Sequence, residues 1–472
     1  MAIITDVLAT RYSSNQMTEI WSPVNKIKLE RSLWIAVMRA QSELGLEISA
    51  NNIKDYEKVI DKIDLDSIRK REEKTLHDVK ARIEEFNALA GHEDIHKGMT
   101  SRDLTENIEQ LQIKQSLDLI NNKTVALLAR LAKLATQYSD LAITGRSHNV
   151  AAQSTTLGKR FASCAEETLI AYHKLQVLIS TYPLRGIKGP VGTSQDMLDL
   201  FENDSKKVEK LEQLVAKHLG FDKVLTSVGQ VYPRSLDFDV VATLFQLSAG
   251  SSSLATTIRL MAGNELVSEG FSDGQVGSSA MPHKMNSRSC ERVNGLNVIL
   301  RGYLSMTSEI TGVQWNEGDV SCSVVRRVAL PGSFFAIDGL METMLTVLDK
   351  FQVFKGAIDA EIEKYLPFLA TTKILMHAIK KGIGREIAHE AIKKHAIAAS
   401  LNIREGKPQD LISRLSTDKV LGISLDELNS LLTDPITFTG NAQDQVKEIV
   451  IQVEKVVKQF PQAANYQPAA IL

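Results

Sequence analysis

Proline and glycine are too scarce in this chain, and too clustered, for most of it to be anything but long helices. Only 11 prolines and 27 glycines punctuate 472 residues, whereas a strand-rich fold needs turn chemistry at short, regular intervals. The stretches between breakers carry helical periodicity. From Lys123 to Tyr138, the residues Leu127, Leu128, Leu131, Leu134, Ala135 and Tyr138 share one face, and Arg130, Lys133 and Gln137 fall elsewhere. From Phe334 to Phe351, Ile337, Leu340, Met341, Met344, Leu345 and Leu348 repeat the stripe, and Val240 to Leu266 and Arg288 to Thr311 are also long and proline-free. These segments predict rods of a central bundle packed along apolar stripes. The expectation is an all-α chain of three mainly helical domains with a long central helix bundle. The N-terminal helical domain would span 1–112, the bundle 113–364 and a C-terminal helical domain 365–472.

Two irregular islands interrupt the rods. Residues 182–192 hold two prolines and three glycines and read as a loop with room for a short hairpin. A second glycine-rich approach runs from Gly270 through Gly274 to Gly277. Near the C-terminus, Ser424 and Glu427 predict a capping box ahead of Leu428, Leu431 and Leu432.

Charge narrows the partners. The 55 basic and 57 acidic residues leave a net charge of -2, without the basic excess that usually accompanies nucleic-acid binding. An anionic substrate would have to be met by local positive groups. Cys164, Cys290 and Cys322 are odd in number and widely spaced, which fits a reducing compartment and neither a disulfide frame nor a CxxC metal site. Asp6 falls where a signal peptide would be apolar, and no run approaches the ~18 apolar residues of a membrane span. The chain reads as cytoplasmic.

Several motifs could carry chemistry. His92-Glu93-Asp94-Ile95-His96 matches HExxH, but Gly91 and Gly98 bracket it so closely that little helix is left to align two zinc ligands. His148, amid Thr144-Gly145-Arg146-Ser147-His148-Asn149, suits a general acid or base, and equally a hydrogen-bonded histidine at a helix start. His77-Asp78 offers a second titratable pair or a solvated helix face. Thr100 and Ser101 precede a helix expected from Leu104 onward, where hydroxyls and free N–H groups hold a carboxylate or simply cap.

The most unusual segment is GSSAMPHKMN, residues 277–286. It is neither a nucleophile elbow nor a phosphate-binding loop. Its glycines allow motion and Lys284 supplies fixed charge. Asn286 or Ser287 can cap the helix that follows, whose start adds partial positive charge. A serine there could be deprotonated if that charge stabilises its alkoxide, and the segment could close over a ligand as a lid.

This segment resembles the SSxMPxKxN signature of the fumarase/aspartase superfamily. His77-Asp78, the run from His96 to Asp103, Gly145 to Asn149 with Gln153 to Arg160, and Gln314-Trp315 with Arg326-Arg327 are similar, in the same order, to the adenylosuccinate lyase family. The resemblance implies elimination of fumarate from adenylosuccinate to give AMP, and from the succinylated ribotide SAICAR to give AICAR. It implies three helical domains, a homotetramer that pools its central helices, active sites built from three chains, and neither cofactor nor metal. Carried onto this sequence, it makes Ser278 the base and His148 the acid, with His77 assisting. Lys284 and Asn286 would hold the anionic intermediate or carboxylates, and Thr100, Ser101 and Gln230 the succinyl part. Arg11, Tyr12, Arg292, Ser323 and Arg327 would take phosphate and carboxylate, and Asp78 completes the binding set.

The chain departs from the family at Leu76 and Gly318, where arginines are usual, and at Ser287, where proline is. Argininosuccinate lyase, fumarase and aspartase share the loop but not the stretches at His96–Asp103 and Gly145–Lys159. A non-catalytic relative with the same fold would not be expected to keep Ser278, His148, His77 and Lys284 together.

Overall fold

A computed structural model describes residues 6–270, 280–281 and 283–469; Ser278 lies outside them. The described residues are mainly helical. In the N-terminal region, α1 (Pro23–Glu43), α2 (Leu65–Thr75) and α3 (Asp78–Ala90) follow a π-helical turn at Leu8–Tyr12. The bundle comprises α4 (Ser101–Gln137), α5 (Leu157–Thr181), α6 (Ser235–Gly263), α7 (Arg288–Ile310) and α8 (Cys322–Lys350). Beyond it come α9 (Lys355–Leu369), further helices within residues 371–431, among them the 20-residue Arg385–Arg404, and α10 (Ala442–Gln459), which returns to lie on α4 and α5.

The stripes read from the sequence become the core. Leu127, Leu128 and Leu131 of α4, and Leu340, Met341, Met344 and Leu345 of α8, are fully buried, each such side chain contributing about 1.5–3 kcal/mol of burial. The rods are longer than their apolar signal. Thus α4 begins at Ser101, three residues before the expected Leu104, because the Asp103 carboxylate accepts the Thr100 N–H at 2.8 Å. Helix α8 runs through Pro331, which the bundle packing on both sides tolerates. One window of α8 is apolar enough to cross a membrane, contrary to the expectation that none would be; 89% of that window is buried in the bundle, so its apolarity is core. The boundaries drawn at residues 112 and 364 fall inside the continuous helices α4 and α9. Residues 370–428 contribute a second, smaller core around Ile374, Leu411 and Leu421, where Ser424 and Glu427 do form the capping box.

The hairpin is not where the sequence suggested. Residues 182–192 pair only through an isolated parallel bridge, Leu184 with Val224. The hairpin is β1 (Ala142–Ser147) with β2 (Val150–Thr156), antiparallel, with Ser147 opposite Val150. Its two-residue loop is His148-Asn149, with φ of 52° and 60°, the left-handed pair that a type I′ turn demands. A register shift falls between Gly145 and Arg146, and glycine is required there because a Cβ on Gly145 would stand 2.5 Å from the Gln153 carbonyl oxygen.

The five bundle helices alternate in direction. One end, the cap end, gathers the starts of α4, α6 and α8; the other, the hairpin end, gathers the end of α4, the hairpin, the start of α7 and the end of α8. Arg234 joins Glu106 at 2.9 Å at the cap end, and Arg130 joins Asp349 at 2.8 Å towards the hairpin end.

Candidate active site

The cap end is organised by buried charge. Asp103, in the first turn of α4, receives the Arg185 guanidinium at 2.6 Å and the backbone N–H groups of Lys188 at 2.8 Å and Gly189 at 3.0 Å. Arg185 also donates to the carbonyls of Gly189 and Gly229, which fixes the backbone beside Gln230. One turn along α4, Glu106 meets Arg234 and Arg102, and Arg102 reaches Ser323 Oγ at 3.1 Å. Arg326 completes the layer on Asp237 at 2.7 Å and Glu109 at 2.6 Å. Burial pushes the Glu109 carboxyl up, but Arg326, with Lys26 and Arg234, overrides it and holds it down at about 2.

On this platform stand Thr100, Ser101, Ser323 and Gln230, whose N–H donates to the Glu317 carbonyl at 2.6 Å. Arg327 is exposed on the first turns of α8. His77 and Asp78 approach the same end: His77 and Asp103 both act on the His96 imidazole, and Asp78 and Glu109 both act on the Glu30 carboxyl. His77 is exposed, as a solvated helix face would have it, and also has a structural role. It is the N-cap of α3, and its Nδ1 accepts the Lys80 N–H at 3.2 Å, so the neutral ring carries its proton on Nε2. Burial raises the Asp78 carboxyl, and Arg82, at 3.2 Å, with the Val79 N–H brings it below the usual carboxylate range.

The hairpin end carries a different set. His148 is exposed at the hairpin tip and does not start a helix. Arg146 beneath it pairs with Glu361 and lies over the Tyr365 ring, which ties the hairpin to α9. A cavity of ≈ 350 Å³ opens there between Arg146, Asn149, Arg160 and Asn264. It shares Leu260 with an open cleft of ≈ 920 Å³ lined by Lys284 and Asn286. Ser287 is the N-cap residue of α7 but makes no side-chain cap bond. Instead Glu269 accepts the N–H groups of Ser289 and Cys290, both at 2.9 Å. The carboxylate thereby neutralises part of the positive helix end offered to the loop.

Arg11, Tyr12 and Arg292 form a third group along the bundle flank. Arg292 lies over the Tyr12 ring at 5.4 Å. Burial lowers its guanidinium's proton affinity, Tyr12 opposes this, and Arg11 and Arg288 add to it. Tyr12 lies so close to α8 that a Cβ on Gly339 would stand 2.5 Å from its carbonyl oxygen. At the HExxH motif, His92 bonds Asp55 and His96 bonds Trp34 Nε1–H, on non-helical backbone. Among the described residues, no group of His, Cys, Asp and Glu is arranged to hold a metal ion.

One chain therefore brings together His77, Asp78, Thr100, Ser101, Gln230, Ser323 and Arg327 at one end, and His148, Lys284 and Asn286 at the other. The 37 residues of α4 separate Thr100 from the hairpin, about 55 Å at ~1.5 Å per residue. Arg185, Glu106, Arg234 and Glu269 were not singled out from sequence; Glu106 stands inside a helical run, whereas Arg185 and Glu269 lie on non-helical backbone and Arg234 just ahead of α6.

The class of protein comes from comparison along the chain: it belongs to a lyase family. A lyase family model matches residues 4–302, and the solved 3-carboxy-cis,cis-muconate lactonizing enzyme of Pseudomonas putida shares the fold, with TM-score 0.84 at 18% identity over 96% of this chain and 100% of that one. Within that class the chain belongs to the adenylosuccinate lyase family. It is 37% identical to the adenylosuccinate lyase of Saccharomyces cerevisiae over 94% of both chains. It is 34% identical to that of Schizosaccharomyces pombe, over 94% of this chain and 93% of that one. The model for the adenylosuccinate lyase C-terminus matches residues 367–449.

Proposed function

We propose that this lyase eliminates fumarate from adenylosuccinate to give AMP and from SAICAR to give AICAR. The observation that carries the reading is the kinship with adenylosuccinate lyases along nearly the whole chain, with the signature residues in place. A weakly acidic proton must leave the carbon beside a carboxylate, negative charge then builds on that carboxylate, and the purine-side nitrogen takes a proton as it departs. Ser278 is the base and His148 the acid, with His77 assisting as an Nε2–H donor; Lys284 and Asn286 stabilise the developing anion. Thr100, Ser101, Gln230 and Ser323 hold the succinyl group, while Arg11, Tyr12, Arg292 and Arg327 take phosphate and carboxylate, for which guanidinium geometry is suited.

The separation of the two ends of the bundle supports a homotetramer with shared sites, in which the cap end of one chain meets the hairpin end of another. Exposed apolar side chains on the rods, Ile170 and Val177 on α5, Val298 and Ile299 on α7, Val324 and Val328 on α8, give neighbouring copies a surface to cover. Three free, buried cysteines support a cytoplasmic setting.

The deciding experiment offers adenylosuccinate and argininosuccinate in parallel and follows fumarate. Release from adenylosuccinate alone is expected; release from argininosuccinate would move the chain to a sister activity, and neither would favour a fold retained without catalysis.

A further inference from the structure

The middle of the bundle buries a lysine and two carboxylates that no step of the elimination uses. Lys123 of α4 and Asp338 and Glu342 of α8 have fully buried side chains. Lys123 Nζ pairs with Asp338, lies 2.6 Å from Glu342 Oε1, and donates to Ser14 Oγ at 3.0 Å. One cation against two carboxylates leaves an excess negative charge in a dry interior, which must be met by further donors. They come from the two ends of the chain. Asp338 Oδ2 accepts the Ser14 N–H at 2.6 Å and the Ser13 hydroxyl at 3.2 Å. Glu342 accepts the Tyr466 hydroxyl and the Ala469 N–H, the latter at 2.5 Å. Burial and the adjoining carboxylate push the Tyr466 phenol up, so it remains a donor. Arg130 holds the same tail through the Tyr466 carbonyl at 2.9 Å, and Lys123 lies 5.2 Å from the Tyr466 ring centroid.

Ser13 and Ser14 directly follow Arg11 and Tyr12, and Tyr12 is the residue packed on Gly339 and under Arg292. We infer that residues 465–469 are a strap that positions the Arg11–Tyr12 turn: they add donors to Glu342, so that Lys123 can be shared between Glu342 and Asp338, and Asp338 in turn pins Ser13 and Ser14. Lys123, Asp338, Glu342 and Tyr466 are positioning residues for the nucleotide grip. The functional half of this inference rests on the assignment of Arg11 and Tyr12 above.

The test compares Tyr466→Phe, which keeps the ring and removes one donor, with a chain ending at Asn465. Amide exchange over residues 8–14 and the kinetic constants are measured on the assembled enzyme. Exchange at Ser14 is expected to accelerate at least about tenfold, and KM to rise about tenfold with kcat little changed, the sign of lost ground-state binding. Adding Glu342→Gln to Tyr466→Phe removes the excess charge and should restore both. Unchanged exchange would overturn the strap. Faster exchange with unchanged KM would overturn its positioning role if Arg11→Ala does raise KM. If Arg11→Ala also leaves KM unchanged, the nucleotide role of Arg11 falls while the link between the two termini stands.

Discussion

Mixing two crippled variants gives a sharp test of the division between the bundle's ends. His77→Ala disables the cap end and His148→Ala the hairpin end, and loss of acid–base assistance at either should cost about 10²–10⁴-fold. Within one chain the ends are held apart by α4 and its 37 residues, about 55 Å against the ~3 Å reach of a catalytic hydrogen bond. If His77 and His148 serve one site, as proposed, that site must draw them from different chains. In an equal mixture that assembles at random, each is intact half the time, so about a quarter of the sites of a closed oligomer recover both. Two nearly dead preparations should together regain activity of that order, at least about 25-fold above either parent if each retains about one part in a hundred. The variants are unfolded together, refolded, sorted by native mass spectrometry, and assayed by fumarate release. Mixed assemblies that stay as inactive as their parents would refute the argument, because sites built within one chain can never be repaired by mixing.

Ser278→Ala should abolish turnover while substrate binding and assembly persist, measured by calorimetry and sedimentation; substantial residual turnover would assign the base elsewhere. His96, pushed down to about 4 chiefly by burial, binds no proton in the folded chain at pH values where the unfolded chain does. Its contribution is thus complete above pH ~6.5 and is lost as pH falls towards about 4, by up to about 3 kcal/mol. Urea unfolding across that range should show the slope in the parent and a flatter one in His96→Asn, whose side chain tolerates the local φ of 68°; equal slopes would contradict it. Gly158→Ala would place a Cβ 2.3 Å from the Ala135 carbonyl oxygen and 2.8 Å from Ser139 Cα. It should cost roughly 1–3 kcal/mol, and an unchanged Tm would show that α4 and α5 part more easily than their packing implies.

The rods were legible because an apolar residue every third or fourth position has only one way to be buried. Helix α5 was less so, although Leu157, Phe161, Ala165, Leu169 and Leu175 are all buried along it. The hairpin escaped notice because its turn is His-Asn, lacking the glycine that marks most type I′ turns; the clue was that both residue types tolerate positive φ. Candidate residues could be named one by one, yet their grouping could not. Asp103 meets Arg185 and Glu106 meets Arg234 across sequence separations of 82 and 128 residues, and no local pattern announces a partner so distant. That one chain splits its candidates between two ends follows from helix length, and the apolar stripe of α4 was harder to follow in its first half because buried Glu106, Asn107, Gln110 and Gln112 interleave with Leu104, Ile108, Leu111 and Ile113.

Glu269 caps α7 with both carboxylate oxygens, while the neighbouring Gly270 lies against Lys350 at a φ of 93° that suits glycine. The two ends of the signature segment are therefore fastened to each other by a single side chain. For a loop of roughly 20 residues, bringing the ends together costs about 2.5 kcal/mol plus a constant, and that cost is met during folding rather than when substrate arrives. Binding energy from the nucleotide need not close the loop's base. Under the proposed elimination it remains available for the contacts that would bring Lys284 and Ser278 to the succinyl carbon.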